Sequence, residues 1–255
     1  GTTNQVSPDM TLSGTGKLGL PYTTTAQTIP NFTVVTVPSN QNGTYQSGNQ
    51  TVTYYYKRNN AGNITVHHYE VGQSSELYKP TGAAAPSAEV FDGTGKLGLS
   101  ETFVNREADI DNYEYVSVDT SGAPGLTATG GSGQTNVVYQ TGTQTVIYRY
   151  RRKNAANITV HHYEDGTTTE LYSPTGGTPG AVTISGTGKL GLPENLTNQA
   201  ANIANFEYVS IDVSGAPSAT SPSSTGATTL THGTTAQTVI YKYRRKDAGN
   251  VIVKY

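Results

Sequence analysis

Three kinds of stretch in this chain alternate apolar and polar residues with the period of a half-buried β-strand, and each kind recurs. The first begins at Thr51, and two later copies begin at Thr145 and Thr238. One face keeps its residues in every copy: Val52, Tyr54, Tyr56, then Val146, Tyr148, Tyr150, then Val239, Tyr241, Tyr243. Because successive strand residues point to opposite faces, this unchanging face is predicted to be buried.

Two further strand patterns accompany the first. The string Asn-Ile-Thr-Val-His-His-Tyr-Glu occurs at Asn63 and at Asn157, and Val251–Tyr255 starts another copy of it. The remaining pattern has apolar residues at Val35 and Val37, at Val116 and Val118, and at Val209 and Ile211. Each copy therefore supplies several short strands, which is typical of a β-rich domain.

Only one stretch per copy has a helical spacing. Leu196, Ala200 and Ile203 fall at i, i+4 and i+7 behind Pro193 and Glu194, as a helix start requires. The second copy repeats the outer two positions with Phe103 and Ile110. In the first copy the same stretch is shorter and Thr-rich, which predicts one turn or none. The order strand, strand, short helix or turn, strand, strand predicts a β-rich α+β domain.

A seven-residue string sets the domain organisation. Gly-Thr-Gly-Lys-Leu-Gly-Leu begins at Gly14, Gly93 and Gly186, and across the last two copies a period of about 94 residues indicates whole domains in tandem. We predict repeat 1 at residues 1–60, repeat 2 at 61–154, repeat 3 at 155–248, and at 249–255 the first strand of a following repeat or the last strand of repeat 3. In an alternative division of the same chain, each repeat starts at the Gly-Thr-Gly-Lys turn and ends with the His-His-Tyr strand.

Repeat 1 differs from the others in one loop. Repeats 2 and 3 carry 13 extra residues inside 121–143 and 214–237, rich in Gly, Ser, Thr and Ala. Differences in binding between copies of a scaffold commonly lie in loops, and a longer hairpin is the alternative explanation.

Composition excludes several classes of protein. Charged residues make up 13% of the chain, the net charge is −2, and there is no Cys. Thiol chemistry is thus excluded, and no overall charge attracts nucleic acid. The chain has no apolar 18-residue run, so we expect no membrane insertion, and we interpret it as a fragment of a longer protein. Small secreted eukaryotic domains commonly depend on disulfides, so a Cys-free chain suits a Gram-positive cell surface better.

The sequence contains no constellation typical of an enzyme or of a metal or cofactor site. The Gly-Thr-Gly-Lys string lacks the spacing of a phosphate-binding loop and is predicted to be a turn with solvated Lys17, Lys96 and Lys189. Adjacent strand residues point to opposite faces, so one His-His pair cannot bind a single ion. We expect His68 and His162 to pack in the interior, and His67 and His161 to be exposed.

Residues 22–57 closely resemble the MucBP (mucin-binding protein) repeat of lactobacillal and listerial cell-wall adhesins. The resemblance rests on the Tyr-Thr-Thr-Thr-Ala-Gln-Thr-Ile-Pro-Asn-Phe string and on Thr-Val-Thr-Tyr-Tyr-Tyr-Lys, with the Gly-Lys-Leu-Gly turn before them. Repeats 2 and 3 share the turn, the Ile-x-Asn-aromatic corner and the Thr-Val-Ile-Tyr strand, but depart in the long loop. The resemblance implies tandem ubiquitin-like β-grasp repeats in an elongated rod, export, attachment to a Gram-positive cell wall, and adhesion to mucus glycoproteins.

Tyrosine and arginine provide the candidate ligand-binding residues. A phenol ring stacks on a sugar face while its hydroxyl forms hydrogen bonds, and a cation attracts sialylated or sulfated glycans. The candidates are Tyr55, Tyr115, Tyr208, Arg151, Arg152, Arg244 and Arg245. Packing in the sheet is the alternative for the tyrosines, and protection of a strand edge is the alternative for the arginines.

Two functions fit this sequence. The first is a non-catalytic adhesin whose weak repeats bind mucin or other host glycoprotein glycans through multivalency. The second is a structural stalk that holds a distal binding domain away from the cell wall. We expect a monomer without a cofactor, in which Val251–Tyr255 is disordered or pairs with the open sheet of another molecule.

Overall fold

The structure, a computed structural model, describes residues 4–255. Within that part of the chain it contains seventeen short strands and two single-turn 3-10 helices, which confirms a β-rich fold. Contacts divide the chain into two compact units. The first comprises the residues up to Asp109 with Tyr115–Arg149, and the second comprises Ile110–Glu114 with Tyr150–Tyr255. The three-repeat division stays a prediction, and "repeat 1", "repeat 2" and "repeat 3" are kept below as names for the predicted ranges.

Repeat 1 forms two small antiparallel ribbons. Its strands are β1 (Pro21–Thr23), β2 (Phe32–Thr36), β3 (Asn42–Thr44) and β4 (Tyr55–Arg58). β1 pairs with β3, and β2 pairs with β4. The apolar stripe of this repeat, Val52, Tyr54 and Tyr56, is only half-buried.

In repeat 2 the strand that carries the corresponding Val/Tyr stripe has a neighbouring strand on each side. Its elements are β5 (Ile64–Glu70), β6 (Glu89–Phe91), β7 (Ser100–Phe103), a 3-10 helix (Glu107–Asp109), β8 (Tyr113–Asp119), β9 (Leu126–Thr129), β10 (Thr135–Val138) and β11 (Gln144–Arg152). They form a four-stranded sheet in the order β6-β5-β11-β8 and a three-stranded sheet in the order β7-β10-β9. Val146 and Tyr148 are fully buried, as the alternation predicts.

Repeat 3 has the same plan. Its elements are β12 (Ile158–Glu164), β13 (Val182–Ile184), β14 (Pro193–Leu196), a 3-10 helix (Ala200–Asn202), β15 (Phe206–Asp212), β16 (Thr228–Thr231) and β17 (Gln237–Arg245). The main sheet has the order β13-β12-β17-β15, in which β12 and β17 run parallel. Val239, Tyr241 and Tyr243 are fully buried at its centre and pack with Ile158 and Leu230. Burial of this stripe confirms the prediction from the alternation.

The predicted short helix is reduced to a single 3-10 turn. Pro193 and Glu194 lie in β14, which pairs with β16, and do not start a helix. After the strand, Asn198 Oδ1 accepts the backbone N–H of Ala200 at 2.8 Å, and the turn ends at Asn202 because Ile203 is already extended, with φ −113° and ψ 99°. Leu196 and Ile203 are still buried, because a strand end followed by a turn also directs both residues inward.

An asparagine in the left-handed backbone region begins the third strand pattern of every repeat. Asn31, Asn112 and Asn205 have φ of 65°, 65° and 64°. Asparagine tolerates this region better than any other residue except glycine. Each asparagine carbonyl accepts, at 2.8 Å, the N–H of a residue just after the last strand: Asn59, Lys153 and Lys246 respectively. This corner is thus joined to the residue directly after the last strand of each predicted range.

The extra loop residues of repeat 2 form a hairpin. β9 and β10 pair antiparallel, and β10 also pairs with β7. In repeat 3, β16 of the corresponding segment pairs with β14, and Thr220 N–H donates to the Thr229 carbonyl at 2.9 Å without forming a further strand. The longer-hairpin explanation of the insertion is therefore correct for repeat 2.

Candidate functional site

The outer face of the main sheet of repeat 3, opposite its core, presents a tyrosine beside two cations. In the parallel register of β12 and β17, Tyr163 is paired with Lys242. Arg244 follows two residues later on the same face, and its side chain is 70% exposed. The Arg244 Nε lies 2.6 Å from Glu207 Oε1 on the adjacent strand β15. An exposed ion pair of this kind is weak, so the guanidinium stays available to another anion.

A histidine and a glutamate position the tyrosine ring. His161 Nδ1 lies 2.6 Å from Glu170 Oε1 and 2.8 Å from the Tyr163 hydroxyl. Because the carboxylate only accepts hydrogen bonds, Nδ1 carries the hydrogen. His161 is therefore half-buried and hydrogen-bonded to Glu170, and not simply exposed as its strand position had predicted. The same arrangement recurs in repeat 2, where His67 contacts Glu76 and Tyr69.

Repeat 2 also places a cation on its outer-face tyrosine. The Arg149 guanidinium lies 5.3 Å from the centre of the Tyr69 ring. The same side chain donates a 2.7 Å hydrogen bond to the Gln73 carbonyl, which fixes its orientation. Tyr69 and Tyr163 were not among the predicted binding residues, although they share a strand face with His67 and His161, which were expected to be exposed. Their position beside the cations of β11 and β17 depends on parallel pairing between distant segments.

Repeat 1 forms the most open version of this face. Tyr55 is 64% exposed, and Lys57 follows it on the same side of β4. Lys57 is paired in register with Thr33. At the position of Thr33, repeats 2 and 3 have Glu114 and Glu207, which form ion pairs with Arg151 and Arg244. A shallow depression of about 220 Å³ adjoins them and is lined by Thr33, Val34, Val35, Lys57, Arg58, Asn59 and Asn60. No carboxylate therefore faces Lys57 across this pairing.

Tyr115 and Tyr208 lie elsewhere. The Tyr208 ring packs at 6.3 Å from buried Tyr241 and lies against Gly226, where a Cβ would fall 2.7 Å from the ring. Tyr115 occupies the same place beside Tyr148 and Gly133. Burial raises the pKa of both phenols. These two candidates are thus half-buried against the core, and the structure does not bring them to the outer face with Tyr55.

Arg152 contacts the next repeat. Its guanidinium lies 4.5 Å from the Tyr113 ring centre, and Nη1 donates a 2.9 Å hydrogen bond to the Leu190 carbonyl of the Gly-Lys-Leu-Gly turn. Arg58 repeats this geometry, with Phe32 at 4.5 Å and the Leu97 carbonyl at 2.9 Å. The equivalent Arg245 lies 4.8 Å from the Phe206 ring centre. Arg151, by contrast, is exposed and paired with Glu114 at 2.5 Å. We call the contacts of Arg58 and Arg152 the repeat joints.

The Gly-Lys-Leu-Gly string forms the other half of each repeat joint. Gly16, Gly95 and Gly188 have positive φ, which confirms the predicted turn. Lys96 and Lys189 are half-buried and not freely solvated as predicted. Lys189 lies 3.0 Å from Glu194, which buried His232 also contacts at 3.0 Å. These two hydrogen bonds hold the pKa of Glu194 below its usual range.

The interior histidines match their predicted role as packing residues. His68 and His162 are buried and stack on Tyr148 and Tyr241 at 5.3 and 5.2 Å. Burial lowers the pKa of both imidazoles, that of His162 to about 4. Among residues 4–255, no group of three or more His, Cys, Asp or Glu side chains is arranged to bind a metal ion. No helix in the same part of the chain is long and apolar enough to cross a membrane.

Comparison with known proteins gives two findings. A family model described as the MucBP domain matches residues 2–57 and 78–151, which together are more than half of the chain. The chain is also 28% identical over 245 residues to Internalin J of Listeria monocytogenes serovar 1/2a, and 28% identical over 248 residues to Internalin J of serotype 4b. These alignments cover 94% and 96% of this chain but 23% and 21% of the relatives. The chain therefore spans less than a quarter of the curated relatives it matches.

Proposed function

Because this chain belongs to the MucBP domain family, we propose that it is a non-catalytic adhesin segment whose repeats bind acidic glycans of mucin or other host glycoproteins. The observation that carries the proposal is the recurring tyrosine–cation arrangement on the outer sheet face: Tyr55 with Lys57, Tyr69 with Arg149, and Tyr163 with Lys242. A ring of this kind stacks on a sugar while the cation pairs with a sialic acid carboxylate or a sulfate.

Several weak sites are enough for adhesion. A single exposed cation and ring contribute little in physiological salt. Linked copies raise the effective concentration of the remaining sites once one site is bound, so avidity grows with repeat number. The exposed Tyr55 and Lys57 make repeat 1 the strongest site for an anionic sugar.

The repeat joints support the second candidate function, a stalk. Arg58 and Arg152 each combine an aromatic contact with a hydrogen bond to the following Gly-Lys-Leu-Gly turn. Such joints restrict the motion of one domain against the next, which a spacer requires. Both functions are compatible with an extracellular segment attached to a Gram-positive cell wall. The sheet order with two parallel central strands supports a β-grasp variant in which a 3-10 turn replaces the helix.

Retention on immobilised mucin, before and after enzymatic removal of sialic acid, tests the adhesin proposal. We expect weak, salt-sensitive retention that falls after desialylation, because the cations lose their anionic partners. Tyr55→Ala with Lys57→Ala should reduce binding by roughly five- to tenfold, as expected for loss of one stacking contact and one charge contact.

Lys79→Ala is the control, because Lys79 is also exposed but lies in the loop after β5, outside the strands that carry these tyrosines and cations. This variant should bind like the original chain. If the original chain shows no retention at low salt, the stalk function is favoured. If Lys79→Ala weakens binding as much as the Tyr55 and Lys57 changes, binding reflects net charge and not this face.

A further inference from the structure

In repeat 3 the first and last strands lie side by side and run parallel. β12 and β17 are paired over seven residues of each strand. One further backbone hydrogen bond extends the pairing at each end. Gln237 N–H donates to the Asn157 carbonyl at 3.3 Å, and Asp165 N–H donates to the Tyr243 carbonyl at 2.7 Å. The chain therefore enters and leaves this repeat through one continuous ladder of backbone hydrogen bonds.

Parallel pairing places the entry and the exit at opposite ends of this ladder. The linker 153–157 leads into β12 at Ile158, whose partner Gln237 is the first residue of β17. β17 ends at Arg245, past the residue that pairs with the end of β12. A pull on the chain before β12 and after β17 therefore slides the strands along each other and loads their evenly spaced bonds together. If entry and exit lay at the same end, the bonds would break one after another.

The ladder is shielded from water. In the sheet order β13-β12-β17-β15, each of its two strands has a paired strand on both sides. On the core side Ile158, Val239 and Tyr241 are fully buried, and the His162 ring stacks on Tyr241 with 7° between the ring planes. Because water reaches these backbone bonds poorly, the two strands rarely separate on their own.

The linker before the ladder is held along its length. Asn154 Oδ1 accepts the Gly188 N–H at 2.8 Å, and Asn157 Oδ1 accepts the Gly186 N–H at 3.1 Å. Ala155 N–H donates to the Gly186 carbonyl at 2.8 Å. A Cβ on Gly186 would fall 2.3 Å from the Ala155 carbonyl oxygen, so linker and turn are in direct contact. A pull therefore passes from the end of β11 into β12 without first extending a loose segment.

Repeat 2 has the same arrangement, with chain on both sides of it. Its first and last strands, β5 and β11, are the central strands of the order β6-β5-β11-β8. Gln144 N–H donates to the Asn63 carbonyl at 3.0 Å, as Gln237 does to Asn157. The His68 ring stacks on Tyr148 with 9° between the ring planes. These matching contacts give the two repeats the same ladder.

We propose that repeats 2 and 3 are tension-bearing elements, in which the strand pairs β5/β11 and β12/β17 act as clamps against force applied along the chain. Forced unfolding is governed by the unfolding rate, and breaking several hydrogen bonds together has a higher barrier than breaking them singly. A segment between a cell wall and a bound partner is pulled along its chain, whether it is an adhesin or a stalk. The clamp does not depend on the outer face that we propose for glycans.

Single-molecule unfolding at constant force tests the clamp in repeat 3. Because the chain has no Cys, two introduced cysteines define where force is applied. Arg151→Cys with Lys246→Cys pulls on β12 and β17 from opposite ends, whereas Asp165→Cys with Lys246→Cys pulls on both strands from the same end. All three positions are exposed. At one force, we expect repeat 3 to survive at least roughly tenfold longer in the first variant, because its bonds must break together.

Two further measurements make the comparison decisive. In the first variant, release of residues 158–245 in a single step should add about 300 Å of extended chain, which identifies the element that opened. The unfolding rate of each variant in urea, without force, corrects the lifetimes for any difference in stability. Equal corrected lifetimes in the two geometries, or a longer lifetime when both strands are pulled from the same end, would overturn the proposal.

Discussion

Single residues at two kinds of position determine how each repeat is built. The left-handed asparagines fix the corner before the third strand pattern, and the buried histidines fill the core against tyrosine rings. Both roles follow from local chemistry: tolerance of positive φ in one case, and a neutral imidazole with a hydrogen-bond partner in the other. In repeat 3 the Tyr243 hydroxyl accepts the Gln199 N–H at 2.8 Å and lies 2.9 Å from His162 Nδ1.

At the asparagine corner, Asn205→Ala should lower the free energy of unfolding by about 1 kcal/mol, because a Cβ-bearing residue without a polar side chain is strained at positive φ. Asn205→Gly should retain most of the stability, since glycine adopts this conformation freely. Urea denaturation measures both. Equal losses for the two variants would contradict a conformational role and indicate that the side chain acts through its contacts.

The buried His162 predicts a dependence of stability on pH. Its pKa is about 4 in the folded chain and about 6.5 when unfolded, so the unfolded state binds more protons between these values. Stability should therefore decrease as the pH falls from about 6.5 to 4, by an amount on the order of 3 kcal/mol. His162→Phe should flatten this part of the curve, measured by thermal unfolding at several pH values.

At the scale of secondary-structure elements, the sequence pattern predicted the buried strands correctly but not the helix. The Val/Tyr stripes were predictable because a constant face in three copies of a strand has one explanation, burial. The helix was not, because the i, i+4, i+7 spacing of Leu196, Ala200 and Ile203 also fits a strand end followed by a tight turn. The outer-face tyrosines were missed for a different reason. Tyr163 becomes the neighbour of Lys242 only through pairing of segments that are far apart in sequence.

The contacts of Arg152 at the repeat joint can be tested by substitution. Arg152→Ala removes the hydrogen bond to the Leu190 carbonyl and the contact with Tyr113, so the turn should open more often. We expect the Leu190 amide, which donates to the Lys153 carbonyl, to exchange roughly tenfold faster, as loss of a charged hydrogen bond implies. Arg151→Ala is the matched control. Faster exchange in both variants would indicate general destabilisation and not a joint.

On the scale of the whole molecule, the three related repeats differ in how completely they bury the Val/Tyr stripe. Repeats 2 and 3 enclose their stripes with first strands on one side and the third strand pattern on the other, whereas repeat 1 leaves its stripe half-buried. Burial of apolar area is the main favourable term in folding. Repeat 1 should therefore unfold at a lower denaturant concentration than repeats 2 and 3. In hydrogen exchange, the amides of β2 and β4 should exchange faster than those of the main sheets of repeats 2 and 3. Uniform protection across all three repeats would contradict this.

The central claim is that the outer sheet face binds an acidic sugar, and an NMR titration of the intact chain with sialyllactose tests it most directly. We expect saturable chemical-shift changes of the amides around Tyr55, Lys57, Tyr163 and Lys242 with sialyllactose, and no comparable changes with unsialylated lactose. Shifts confined to Tyr115, Tyr208 and the long loops, or equal responses to both sugars, would contradict it.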